Sequence, residues 1–456
     1  MKPRVAVIGA GITGLTAAHT LLKAGLDVTV IEARRAVGGL AATHDFGSFR
    51  WDRFYHCILK SDSSLLQLLD EIGLTDKLRW QNTEVGFYSR DALHKMTTPM
   101  DLLRFPCLPL WAKLRFGLGI LYAARLRHGE ALESVPLKDW TIRVFGETVY
   151  SELWEPLLRC KLGEMRSQAS AAFLWATIRR LYSTREKSSS KREQLGYVEG
   201  GYATVFERLV ERIAEMGGGI ETGVCLSRVE PRRGGVEIDA DGVTREFDAC
   251  LMTIPSPAIR ASVPALSEEY RKRLEAPIYL GMVCVVLVLR RSLSPYYLTN
   301  VTQEAPFTGI VEMTNLIDAE KATNGQTLVY LPKYTSPSDP LFHLGDQEVW
   351  DRFSPMLFRV HPQLRRSDIV SVLVFRERFV QPVPTLKYSA RAPTVETGLP
   401  HIFVANTSQI INDTLNNNVM TSIARQATAC VIQELLGPAS RPNQTVESSA
   451  AMATNT

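Results

Sequence analysis

The sequence predicts an α/β chain: a Rossmann-like nucleotide-binding domain, a helical insert and a mixed-sheet domain. Three observations carry this. An apolar run, RVAVI (4–8), leads directly into a glycine turn and then a helical pattern. A second apolar strand, DVTVI (27–31), completes a βαβ start, which implies a parallel sheet. Strands of the same kind return only after long interruptions, in FDACLMTIP (247–255) and HIFVAN (401–406).

The first helix carries Leu15, Ala18 and Leu22 on one face, and Gly25 is placed to end it. From about 60 to 195 the pattern is mostly helical, with helices expected over Ser64–Ile72, Trp111–Arg127, Thr148–Leu158 and Ala169–Leu181. The run STREKSSSKREQ (183–194) lacks the apolar surface to order itself and reads as a solvated loop. Helical periodicity returns over Tyr202–Met216. Residues 219–254 alternate as strands, and Gly234-Gly235 and Asp241-Gly242 mark the turns of a β-meander. Ile278–Leu289 (IYLGMVCVVLVL) is too short to span a membrane and is rich in β-branched residues, so it reads as a buried strand in a mixed sheet over 280–380. A helix over Val419–Leu436 follows the last strand, and the small, polar tail from Gly437 is expected to be disordered.

Composition bounds the function. The 456 residues include 52 Lys or Arg and 48 Asp or Glu, a formal charge of +4, with 45% hydrophobic and 22% charged residues. These values exclude a mainly disordered chain and a polytopic membrane protein. With no dense basic block, they also give no nucleic-acid footprint. The seven cysteines (57, 107, 160, 225, 250, 284, 430) form no CxxC pair, which argues against a zinc ribbon or disulfide framework and suits a reducing, cytoplasmic setting. MKPRVAVIGAG lacks the longer apolar core and cleavage site of a secretory leader. The eight histidines show no HxH or HExxH spacing, so no metal site is expected, and no GxSxG elbow or Walker loop is present.

The sharpest motif is Gly9-Ala10-Gly11-Ile12-Thr13-Gly14. It follows a strand and opens a helix, the context its chemistry needs. Gly9 permits the tight turn, Gly11 lets the backbone approach a pyrophosphate, and Gly14 allows close packing of helix on strand. Free N–H groups at the helix start, with the helix dipole, favour the anion. Glu32 ends the second strand, 23 residues after Gly9, where a carboxylate can accept from adenosine ribose hydroxyls. It would repel a 2′-phosphate, whereas Arg34 and Arg35 beside it can accommodate one. A second pair, Gly38-Gly39-Leu40, lets the backbone pass flush against a ligand.

The stretch VAVIGAGITGLTAAHTLLKAGLDVTVIEARRAVGGLAAT resembles the N-terminal signature of the flavin-containing amine oxidase superfamily, in particular its branch like protoporphyrinogen oxidase and phytoene desaturase. The likeness is close over 4–43. It extends to YVEGGYATVFERLVERIAEMGGGIETG (197–223), to the meander 225–255 and to 401–427. The resemblance implies FAD as cofactor. It implies that Leu226 meets the adenine, that Ala10, Thr13, Arg34 and Leu40 lie on the cofactor with the glycines, and that the helix at Asn418-Val419 faces the flavin pyrimidine. Asn is equally a helix cap. Where the family has Ala-Gly-Asp, this chain has Ala405-Asn406-Thr407. Asn406 and Thr407 can hydrogen-bond a ribityl chain or phosphate and supply no carboxylate. The expected division is FAD-binding parts at 1–60, 196–260 and 396–436, a helical insert facing substrate or membrane at 61–195, a mixed-sheet substrate domain at 261–395, and the tail at 437–456.

In similar enzymes the chain after the second glycine pair runs beneath the flavin. Here that segment, FGSFRWDRFYHCI (46–58), offers Arg53, Tyr55 and His56 as catalytic candidates. His56 can serve as acid/base, electrostatic partner or covalent attachment point, or simply pack. His44 and His94 lack any framing residues. The stretch 100–127 is rich in Leu and aromatics with interspersed Arg and Lys. It suits a core helix, a wall for an apolar or lipid-like substrate, or a peripheral membrane contact. Arg159 and Lys161 are placed to meet an anionic substrate or solvent. The leading expectation is an FAD-dependent oxidase or desaturase taking a hydride to flavin N5. A non-redox flavoenzyme resembling UDP-galactopyranose mutase and a non-catalytic flavin-binding scaffold are the alternatives.

Overall fold

A computed structural model describes residues 2–186 and 194–437. Arg4–Ile8 forms the centre of a five-stranded parallel sheet, in the order Ile402–Val404, Ala249–Met252, Arg4–Ile8, Asp27–Glu32, Gly219–Thr222. Register is set by apolar pairs: Val5 faces Val28 on one side and Ala249 on the other. Both faces of such a sheet must be covered, and its three middle strands are accordingly largely apolar in their interiors, whereas the edge strand Gly219–Thr222 is partly exposed. One face packs against helices Ile12–Lys23, Gly201–Glu215 and Asn417–Leu436, through Leu15, Leu21, Leu209, Ala424 and Val431. The other meets the antiparallel meander Leu226–Arg232, Gly235–Ala240 and Val243–Phe247, through Val229, Ile238 and Phe247. The turn expected at Asp241-Gly242 has both residues at positive φ (47° and 75°), the pairing a tight hairpin requires. Of the strands in 219–254, the first and last belong to the parallel sheet and the middle three make the meander.

The second sheet has seven strands, ordered Ile369–Val383, Ile278–Leu289, Thr327–Thr335, Gly309–Glu312, Leu298–Val301, Val85–Ser89, Ala92–Lys95. It is mixed: Leu298–Val301 runs parallel to Val85–Ser89, and the other neighbours are antiparallel. The 12-residue Ile278–Leu289 strand is buried on both faces beyond its first residue, as its unbroken apolar run predicts.

Within 61–195 the mostly helical expectation holds only in part. Helices Ser63–Glu71, Leu110–Arg125, Glu155–Leu162 and Ala171–Glu186 are present. Three strands lie there as well: Leu78–Asn82, Val85–Ser89 and Ala92–Lys95. Leu78–Asn82 pairs with Gln194–Val198, and Val85–Ser89 pairs with Leu298–Val301. Those partners lie more than 100 residues away, so local pattern carried no sign of the pairing. The loop expected at 183–194 is helical through Glu186, and the remainder up to 193 lies outside the described residues, as does the tail beyond Gly437.

Candidate flavin site

The glycine turn is built by contact. Gly9 sits at φ +105°, and its N–H donates to the Ile31 carbonyl at 2.8 Å, tying the turn to the neighbouring strand. A Cβ on Gly14 would lie 1.8 Å from the Gly9 carbonyl oxygen, so only glycine lets the helix approach the strand end. Gly11 differs. Its φ of −77° suits any residue, and an added Cβ would find nothing closer than the Gly39 Cα at 3.8 Å. Gly38, at φ +119°, donates its N–H to the Ala10 carbonyl at 2.8 Å and brings the second glycine pair alongside the first. A Cβ on Gly39 would sit 3.1 Å from the Gly11 Cα.

The result is a slot free of side chains floored by the contact of Gly11 with Gly39, at the start of the Ile12–Lys23 helix. That helix has no side-chain cap and no acidic residue in its first turn. Its first N–H groups, with Thr13 and Gly14 buried among them, have no intrahelical partner. An uncapped helix start facing a slot without Cβ atoms fits the diphosphate of an adenine dinucleotide.

Glu32 ends the strand beside this turn. Its carboxylate accepts the Ala10 N–H at 2.7 Å and the Arg34 N–H at 2.8 Å. An ionised carboxylate has about four acceptor positions, so room is left for ribose hydroxyls. The Glu32 carbonyl accepts the Val224 N–H at 3.0 Å, which brings Leu226, two residues on, to the same end. Leu40 lies half-buried in the turn Gly39–Ala41.

The three catalytic candidates diverge. Arg53 turns back to the glycines and donates to the Gly39 carbonyl at 3.1 Å, with Glu377 at 3.5 Å. Burial pulls its guanidinium below its ordinary value. Arg34 pairs with the same Glu377 at 2.8 Å, and this bond raises it. Tyr55 points to the seven-stranded sheet, with its hydroxyl 3.4 Å from that of Tyr334, and burial pushes it well above the ordinary phenol range. His56 packs on Tyr202 and places Nδ1 3.6 Å from the Asp52 carboxylate. Asp52 is 1% exposed; burial raises it, and it accepts the Tyr202 N–H at 3.0 Å, capping helix Gly201–Glu215 from another segment. The Asp52 carbonyl accepts the Tyr330 hydroxyl at 2.6 Å.

Of the two cations on the insert, Lys161 lies 3.8 Å above the Tyr334 ring, whereas Arg159 faces Glu155 at 3.9 Å. His44 and His94 pack edge-on against Phe375 and Phe105. Among the described residues no group of three or more candidate ligands could hold a metal ion.

The closing segment uses its polar atoms internally. Asn406 donates to the Ile254 carbonyl at 2.8 Å and accepts from Ser408, which stitches the two strand ends together. Thr407 starts the following turn, half-buried. The helix is capped by Asn416, whose side chain accepts the Val419 N–H at 3.0 Å, and Asn418 accepts the Leu65 N–H at 3.1 Å. Of the two roles open to these asparagines, capping therefore falls to a neighbour of the residues singled out.

Sequence reasoning missed Asp52, Glu377, Tyr330 and Tyr334. Asp52 carried one usable signal, an acid within an aromatic run (FRWDRFYH). Glu377 looked like one of several charges on an alternating strand, and only the fold brings it to Arg34.

Residues 12–411 match the family model of the flavin containing amine oxidoreductases. The chain is 30% identical over 162 residues to protoporphyrinogen oxidase 2 of Arabidopsis thaliana, covering 34% of this chain and 32% of that one. It is 24% identical over 324 residues to the 15-cis-phytoene desaturase of the same plant, covering 65% and 56%. These matches thus span from about a third to just over half of the curated relatives' length. A solved oxidoreductase from Methanosarcina mazei superposes with a TM-score of 0.75 over 93% of this chain and 100% of its own, at 18% identity, a likeness of fold.

Proposed function

Because the chain belongs to the flavin containing amine oxidoreductase family, we propose that it is an FAD-dependent oxidase or desaturase acting on an apolar organic substrate. The observation that carries this reading is one continuous apolar cluster. It runs from Phe54 and the Tyr330–Tyr334 wall to Phe145 and the underside of helix Leu110–Arg125. A substrate admitted beside this packed apolar body would be desolvated and oriented largely by shape.

FAD, held at the glycine turn, would supply a two-electron acceptor for a substrate hydride. The chain does the rest. Gly11, Gly39 and the first-turn N–H groups bind the diphosphate, and Glu32 and Leu226 bind the adenosine. Thr407 and the start of the last helix would lie toward the ring end. Tyr55, Tyr330 and Tyr334 exclude water from the substrate side, and Lys161 places a cation at its edge. Loss of two hydrogens as hydride and proton needs a proton acceptor, a role we assign to His56, whose ring lies against the Asp52 carboxylate. Arg53 holds the glycine turn.

The protein works at a membrane face through residues 100–127, on its cytoplasmic side. No helix among the described residues is long and apolar enough to cross.

The test is anaerobic addition of polyene, porphyrinogen or amine substrates to the purified flavoprotein. An apolar redox substrate bleaches the visible flavin band. Failure of every apolar compound, with bleaching by a hydrophilic amine, overturns the substrate class. Turnover of a nucleotide sugar without bleaching overturns the redox reading.

A further inference from the structure

We propose that helices Pro99–Arg104 and Leu110–Arg125 form a docking surface for an anionic lipid bilayer. This rests on the membrane contact proposed above and names the chemistry of the partner and the side chains that meet it.

Seven of the twelve large apolar side chains exposed among the described residues lie between 100 and 122. Trp111 (56%), Leu114 (58%), Leu118 (68%) and Tyr122 (52%) follow one another at helical spacing and make a single solvent-facing stripe. Met100 and Leu103 extend it across the first helix. Monomeric soluble proteins rarely leave a contiguous stripe of this kind uncovered.

The helix cannot roll to hide it. Its opposite side is made of Ala112, Gly119 and Ala123, all buried. Gly119 is jammed against Phe145, where even a Cβ would lie 2.6 Å from the ring. The stripe is therefore fixed outward by packing.

Charge selects the occupant. The stretch 99–127 holds five basic residues (Arg104, Lys113, Arg115, Arg125, Arg127) against Asp101 alone, 5 − 1 = +4, as large as the formal charge of the whole chain. The Asp101 carboxylate is consumed capping the first helix, where it accepts the N–H groups of Thr97 and Thr98. Arg104, Arg125 and Arg127 are exposed, and no carboxylate partner is found for them among the described residues. A second copy docking through this face would set like charges against each other. Lipid phosphates would neutralise them, while the aliphatic stems of the arginines lie along the acyl boundary. Sixteen residues make a helix about 24 Å long, short of the hydrocarbon core, so the pair lies in the interface rather than across it.

The experiment is flotation of the intact flavoprotein with vesicles of phosphatidylcholine alone or mixed with phosphatidylglycerol. Binding to the mixed vesicles is expected to exceed binding to the neutral ones by about tenfold, and to weaken with salt. Trp111→Ser/Leu114→Ser/Leu118→Ser should lose binding to both. Arg104→Gln/Arg125→Gln/Arg127→Gln should lose the anionic preference. Both variants alter exposed positions only, so flavin absorbance and melting temperature, read alongside, are expected to match wild type. Because flotation does not depend on flavin reduction, it fails or succeeds separately from the oxidoreductase reading. Absence of wild-type flotation overturns the proposal, as does equal binding to neutral and anionic vesicles. A lipid-free dimer dispersed by the apolar variant would assign the face to self-association instead, and would equally overturn it.

Discussion

Gly11→Ala and Gly14→Ala place the same methyl group three residues apart in one turn, and the structure separates their consequences. At Gly11 the backbone is ordinary and the nearest atom to an added Cβ is 3.8 Å away, so the apoprotein accommodates it. The only folding cost is that of an alanine at a helix N-cap, about 0.5 kcal/mol relative to glycine. The methyl group instead fills the slot between the two glycine pairs. If it displaces a diphosphate enough to break two hydrogen bonds to a charged group, at about 1.5–3 kcal/mol each, affinity falls by at least about 3 kcal/mol, or a hundredfold. At Gly14 the methyl group meets the Gly9 carbonyl at 1.8 Å, and backbone must move. Overpacking of that kind costs about 1–3 kcal/mol of stability before any ligand is considered. The assay pairs thermal unfolding of flavin-stripped protein with titration of FAD by fluorescence quenching. Gly11→Ala should unfold near the wild-type temperature and bind poorly. Gly14→Ala should unfold about 1–3 °C earlier. Wild-type FAD affinity in Gly11→Ala would refute the placement of the ligand, and a wild-type melting temperature in stripped Gly14→Ala would refute the turn geometry.

Glu32→Ala removes the acceptor for two backbone N–H groups as well as for the ribose, so FAD binding should weaken by about 1–3 kcal/mol in the same titration. Glu377→Gln leaves Arg34 and Arg53 without their shared carboxylate beside the slot, so FAD binding should tighten and become more sensitive to salt, measured as the dependence of Kd on ionic strength. Burial pushes the Glu312 carboxyl up to about 7 from an ordinary 4.5, despite the Leu293 and Ser294 N–H groups it accepts. The folded state therefore holds a proton that the unfolded chain releases, and stability falls as pH rises from about 4.5 through about 7. Glu312→Gln should remove that slope and exceed wild type at pH 8 by about 2–3 kcal/mol, read by denaturant unfolding across the range. Equal pH slopes in the two proteins would overturn it.

What could be read in advance follows from how local each signal is. The nucleotide turn is written in six consecutive residues, because a βαβ unit closes through neighbours and Gly9 and Gly14 each answer a separate steric demand. The buried strand at 278–289 was legible for the same reason: an unbroken apolar run needs no knowledge of its partners. The strands at 78–95 were not, because LRWQN, VGFYS and ALHK are short and partly polar; the first two take their order from distant partners, and ALHK only extends VGFYS as a hairpin at the sheet edge. The substrate side was the least legible. Tyr55, Tyr334 and Lys161 come from three elements, and only the packed fold shows the ammonium resting on the ring. Asn406 shows the converse. Its departure from the acidic pattern was visible, yet its bonds to Ile254 and Ser408, which join two strand ends, were not.

The parallel sheet draws its five strands from residues 4–32, 219–252 and 402–404. On the ribosome, the glycine turn emerges about 390 residues before the strand that finishes the sheet, Ile402–Val404. An early-terminated chain of any useful length would carry the fingerprint and still lack the sheet edge and last helix that complete the fold. Cofactor capture is thus tied to synthesis through the Asn417–Leu436 helix, and an expression experiment with staggered stop codons should show flavin colour only once residue 436 is included.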